Sequence, residues 1–125
     1  MTPDFTAEDQ ARWFARLASM RDYLIWGLMC DAVPVGAMGL KHVTQMQAEY
    51  WGYLGDRQYW GLGLGQEMVR FGLTQARKLG LAELYLKVHQ DNTRAIRLYT
   101  KAGFRPTAQL GAVLEMRRPV ADSHE

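Results

Sequence analysis

Gly61, Gly63 and Gly65 fall at alternate positions in DRQYWGLGLGQEMV, residues 56–69, just ahead of a run that reads as helix. Each gives up side-chain packing and costs folding entropy. A strand that turns through such residues into a helix aims free N–H groups and the positive helix end at an anion, above all a phosphate. The spacing is not the G-x-G-x-x-G of dinucleotide sites, and no Lys followed by Ser or Thr marks a nucleoside triphosphate loop. Taken alone the cluster reads first as a plain turn and second as an anion cradle.

Other residues have chemistry of their own. Tyr99 offers a phenol, yet it shares a helical stripe with Ala95 and Ala102 and by that spacing alone is core. Glu49, His42 and His89 are the proton acceptors, each with an ordinary reading as a solvated polar residue. Asn92 is placed to cap the helix that starts at Thr93, and Trp60 reads as core. Three histidines and one cysteine make no metal cluster, and no His or cation neighbours Cys30 in sequence to activate it. Cys30 reads as a small buried hydrophobe.

The elements that must position these residues follow from the pattern. Thr6 and Asp9 open a first helix, roughly 7 to 20, with Trp13, Phe14 and Leu17 as its apolar stripe. YLIWGLMC and VPVGAMGLKHV form an antiparallel hairpin about Asp31-Ala32. QAEYWGYLGD is a third strand, in which Gly52 invites a bulge. Gly63 to Leu79 repeats its apolar residues at helical spacing and stops at Gly80. LAELYLKVH alternates as a strand, TRAIRLYTKAG is a helix ended by Gly103, and AVLEMRR is a last short strand. The order αβββαβαβ describes an α/β (α+β) unit, a mixed sheet with helices packed on it.

Composition agrees with one domain over residues 1–125: 48% of the residues are apolar and 22% charged. No stretch has the ~18 apolar residues of a membrane span, and the start lacks a signal-peptide pattern, so a cytoplasmic protein with no membrane partner is expected. A lone cysteine makes no internal disulfide. A net charge of +2 with scattered basic residues argues against a nucleic-acid partner.

Two stretches about thirty residues apart then carry a resemblance. QYWGLG, Gln58 to Gly63, matches the Q/R-x-x-G-x-G/A pattern that opens the main helix of the GNAT superfamily of acyl-CoA-dependent N-acyltransferases. VHQDNTRAIRLYTKAGF, Val88 to Phe104, resembles that family's second motif: Asn, Ala-Ile, Leu-Tyr, then Gly-Phe. The resemblance covers about residues 6 to 118. Trp60-Gly61, Glu67 and FTAEDQARWF lean toward the branch of ribosomal-protein N-terminal and amino-sugar acetyltransferases.

That resemblance implies a mixed, largely antiparallel sheet with helices on both faces, and acetyl-CoA as the acyl donor. Main-chain amides from Gly61 through Leu62, Gly63, Leu64 and Gly65 to Gln66 would cradle the diphosphate, with Gln58, Tyr59 and Trp60 leading into the turn. Trp51, Tyr53 and Leu54 would pair their main chain with the pantetheine arm, a bulge near Gly52 would open a slot for the thioester, and Asn92 and Ala95 would border it. Tyr99 would protonate the departing thiolate. An N–H at Tyr53 or its neighbour would stabilise the oxyanion. Some relatives place a base where this chain has Lys87, so Glu49 is favoured here, ahead of His42 and His89.

The acceptor implied is a primary amine: a small amine, an amino sugar or a protein N-terminus. Family members generally begin with a further strand and helix, so an open edge is expected, which exposes the acceptor site or invites a homodimer. A CoA-binding member without catalysis and a purely structural α/β domain are the alternative readings.

Overall fold

The computed structural model describes residues 11–16, 22–30, 33–55 and 63–121. In chain order they form β1 (Ala11–Arg16), β2 (Leu24–Cys30), β3 (Val33–Lys41), β4 (Gln47–Leu54), α1 (Leu64–Lys78), β5 (Glu83–His89), α2 (Thr93–Lys101), β6 (Arg105–Leu110) and β7 (Val113–Pro119). The strands make one seven-stranded sheet in the order β1-β2-β3-β4-β5-β7-β6. Every neighbouring pair is antiparallel except β4 and β5, which are parallel and joined through α1. Parallel neighbours need a crossover, and α1 supplies it.

Period-two alternation sorts the side chains into two faces. On one face Gly36, Met38 and Leu40 of β3 stand opposite Leu54, Gly52 and Tyr50 of β4. Both described helices pack there: Gly72 of α1 lies against Met38 and Tyr50, and the Tyr99 ring of α2 meets the Tyr50 ring edge-on. Met38, Leu40, Leu64, Leu84, Phe104 and Met116 are fully buried between sheet and helices. The far face carries Lys41 opposite Glu49, Glu49 beside Tyr85, and Tyr85 opposite Arg117.

The mixed, largely antiparallel sheet is as expected, with three corrections. Within the expected first helix, residues 11–16 are a strand paired in unbroken register with β2. ARWFAR suits either period, and the edge of β2 decides it. Thr6, Asp9 and Leu17 lie outside the described residues. The two described helices share one face of the sheet. An additional strand, β6, precedes the last one; all its residues are exposed, so it carries no apolar alternation to read. Finally, the β3–β4 register runs through Gly52 without a shift, so the expected bulge is absent from that ladder.

Helix ends fix where the chain turns. Gly63 precedes α1 at φ 84°, a left-handed conformation that glycine adopts without the Cβ clash, and no side chain caps this end. Asn92 caps α2, its Oδ1 accepting from the Ala95 N–H at 3.1 Å. At the far end of α2 the Gly103 and Phe104 N–H groups donate to Thr100 and Tyr99 carbonyls, each at 3.0 Å, with Gly103 at φ 100°. This is a Schellman ending, and it folds the Phe104 ring back to within 6.0 Å of the Tyr99 ring centroid. Among the described residues no helix is long and apolar enough to cross a membrane.

Candidate active site

β4 and β5 pair only from Gln47–Glu49 to Glu83–Tyr85, and then part. Beside the opening stands the uncapped end of α1, whose first N–H groups have no acceptor within the helix; the first helical bond runs from Glu67 N to Gly63 O at 3.1 Å. A cavity of about 440 Å³ fills this wedge, bounded by β4, the first turn of α1 and one side of α2.

Hydrogen-bond parity decides which β4 amides face the wedge. Gly55 N donates to Val35 O at 2.9 Å, which makes residues 55 and 35 a hydrogen-bonded antiparallel pair. Alternation along the unbroken register then turns the N–H and C=O of Tyr53 toward β3, consistent with the Tyr53 carbonyl lying against Gly36. On the other edge, Met46 O accepts from Ala82 and Glu83 N–H groups at the start of β5. Even-numbered β4 residues therefore present their main chain to the β5 side, and beyond the three paired positions Gly52 and Leu54 present it to the cavity. The N–H expected at Tyr53 is spent on β3, so among the described residues its neighbour Gly52 offers the donor on the cavity side.

Of the other residues expected at the site, Tyr53, Leu54, Gly63, Gly65, Gln66, Asn92, Ala95 and Tyr99 all line the cavity. Gln66 also ties the helices together, its Nε2 donating to Leu98 O at 3.5 Å. Asn92 spends its oxygen on the cap and keeps its NH₂ as a donor. Leu64 is a core side chain, fully buried, and offers the site only its main chain. Trp51 points to the far face, where its ring meets Tyr23 at 6.5 Å, and its buried indole N–H finds no partner among the described residues. Gln58, Tyr59, Trp60, Gly61 and Leu62 lie outside the described residues.

Sequence reasoning missed Met68, Leu98 and the cations Arg94, Arg97 and Lys101, which line the same cavity as Tyr50. The signal for the cations was present: spacings of three and four residues put them on one side of a helix. Burial pushes the Tyr99 phenol above its ordinary value. Tyr50 is pushed well up, by burial first and then by Tyr99. Both hydroxyls thus stay protonated at neutral pH and can donate but not abstract a proton.

Glu49 does not share the Tyr99 side of the sheet. Its carboxylate is on the far face, nearly buried at 7% exposure, at the last paired position before the strands part. His42 Nε2 lies 3.9 Å from Glu49 Oε1, so these two candidate acceptors come together. His89 instead serves a turn, its Nδ1 accepting from Asp91 N–H at 3.2 Å. Next to Glu49 the closed end of the wedge is stapled by Arg117. Its Nη1 donates to Gln47 Oε1 at 3.0 Å and Glu83 Oε1 at 2.7 Å, and its Nε to Glu115 Oε2 at 2.7 Å.

A family model described as the acetyltransferase (GNAT) family matches residues 1–104. The chain belongs to the acetyltransferase (GNAT) family. Among its relatives, a mycothiol acetyltransferase of Stackebrandtia nassauensis is 32% identical over 108 residues, which cover 77% of this chain and 35% of that protein. Another from a Parafrankia species is 48% identical over 59 residues, 47% of this chain and 17% of that protein. This GNAT chain thus spans about a third or less of the curated relatives it matches. The PaiA N-acetyltransferase of Thermoplasma acidophilum, solved with coenzyme A, superposes with a TM-score of 0.73 at 26% identity, covering 78% of this chain and 61% of that one. A GNAT acetyltransferase of Elizabethkingia anophelis with acetyl-CoA bound gives 0.77 at 12% identity, over 89% and 99% of the two chains, and shows the shared fold.

Proposed function

We propose that this GNAT domain transfers the acetyl group of acetyl-CoA to a primary amine by direct attack on the thioester. The observation that carries the reading is the wedge itself: two parallel strands part beside an uncapped helix end, and a protonated tyrosine looks into the gap. The residues present suit the coenzyme. Gly63 and the α1 amides suit a diphosphate, the edge of β4 beyond its ladder with β5 suits an amide-bearing arm, and Arg97 and Lys101 suit the remaining negative charge.

When bound, acetyl-CoA supplies an acyl group activated as its thioester. The chain's own groups do the rest. The Gly52 N–H donates to the thioester oxygen as negative charge grows on it. The Tyr99 hydroxyl gives its proton at the sulfur, whose thiol has a reference pKa of about 8.5 by analogy with cysteine. A lysine-like amine, reference pKa about 10.4, must lose a proton to attack. Glu49, with His42 beside it, receives that proton from the far face, directly or through water, so that acceptor and coenzyme approach from opposite sides of the sheet.

The acceptor we propose is a small-molecule amine, and relatives named mycothiol acetyltransferase put the des-acetyl precursor of mycothiol at the head of the panel to test. The proposed location is the cytoplasm, in keeping with a single cysteine. A thiol-release assay with acetyl-CoA and a panel of amines tests the reading: turnover with at least one amine supports it. Coenzyme binding without release from any amine would leave a binding domain in its place.

A further inference from the structure

Two glycines make the slot that holds the Tyr50 ring. A Cβ on Gly52 would fall 2.7 Å from Tyr50 Oη, and one on Gly72 of α1 would fall 3.0 Å from the ring's Cδ1. The ring is therefore clasped between its own strand and the helix above, and only 3% of the residue is exposed. The Tyr99 ring meets it with centroids 6.1 Å apart and planes at 79°. Phe104, completely buried, is the second ring against Tyr99. Edge-to-face contacts of this kind fix a ring's tilt as well as its position.

We propose that Tyr50 is a positioning residue: seated by Gly52 and Gly72, its ring sets the tilt of the Tyr99 ring and so the point in the cleft at which the Tyr99 hydroxyl donates. The inference rests on the acetyl-transfer reading above. A methyl group at position 52 forces a choice between neighbours. Met68 Cε, 3.0 Å from the same point, ends a flexible side chain and can move aside. Tyr50 Oη ends a rigid ring, so the whole ring must turn, and Tyr99 turns with it. Alanine at this position leaves the main-chain N–H in place, so the hydrogen-bonding edge of β4 is unaltered.

The test is a cycle of Gly52→Ala, Tyr50→Phe and the double variant, with Tyr50→Leu beside it. Gly52→Ala is expected to lower the melting temperature and to cut kcat about tenfold, while the Kd for CoA stays within about twofold. Adding Tyr50→Phe removes the colliding oxygen and restores the melting temperature and most of kcat. Tyr50→Leu, which removes the ring, lowers kcat about tenfold with CoA affinity kept. A Gly52→Ala protein that loses CoA affinity and is not rescued by Tyr50→Phe would show that Gly52 makes room for the coenzyme instead. Additive melting shifts would likewise overturn the inference. That thermal cycle needs no substrate. A wild type that releases no thiol overturns the acetyl-transfer reading and the positioning role with it, whereas additivity with an active wild type overturns the positioning role alone.

Discussion

Tyr99 illustrates how little a side chain's type says without its surroundings. On helical spacing it is a core residue, and the structure agrees that its ring is mostly packed; what packing leaves for the cleft is a hydroxyl that burial keeps protonated. Its raised value means that activity is lost to Tyr99 ionisation only above pH 10, so the rate below that limit follows the acceptor amine and its base. Tyr99→Phe is expected to reduce kcat about 100-fold and to leave CoA affinity within about twofold, as separate turnover and binding titrations would show. Asn92 and Gly103 were legible in the sequence because caps are local. The choice of Gly52 over Tyr53 as the donor was not, since it depends on the pairing parity of a strand with a partner ten or more residues away. For Gly103→Ala the cost is about 1–2 kcal/mol from the left-handed backbone, read by chemical denaturation. The collision of its Cβ with Arg118 Nε at 2.7 Å adds to that.

At the scale of elements, the two helices and the strands that flank them were readable from period and termini, because each buries one face and ends at a glycine. The first element was misread because ARWFAR satisfies both periods and only its neighbour β2 selects one. β6 went unread because its exposed residues owe their conformation to β7 alone. What opens the wedge is the stop in β4–β5 pairing, and Arg117 secures the paired end by joining Gln47, Glu83 and Glu115 across three strands. The hydrogen bond from Arg117 is the largest influence holding Glu115 below its ordinary carboxylate value. A depressed carboxylate stabilises the fold above its unfolded pKa and loses that contribution as pH falls through the folded one. Stability is therefore expected to decline on acidification from about pH 4.5 downward, and Arg117→Ala to flatten that part of the curve in urea unfolding as a function of pH. On α2, replacing Arg97 and Lys101 together by alanine should weaken CoA binding about tenfold at low salt, with the difference shrinking as salt is raised.

For the whole molecule, the sheet divides the labour: the helical face builds the wedge, and the far face brings Glu49 and His42 to its closed end. Binding energy collected along the wedge is shared with folding, so acetyl-CoA at about 100 times its Kd is expected to stabilise the protein by about 2.7 kcal/mol, visible as a rise in melting temperature. The most direct test of the central claim is an amide-resolved NMR titration with acetyl-CoA. Saturable shifts are expected at Gly52 and Leu54, at Gly63 to Gln66 and along α2 from Asn92 to Tyr99. Absence of binding, or shifts confined to residues outside the wedge, would contradict that claim.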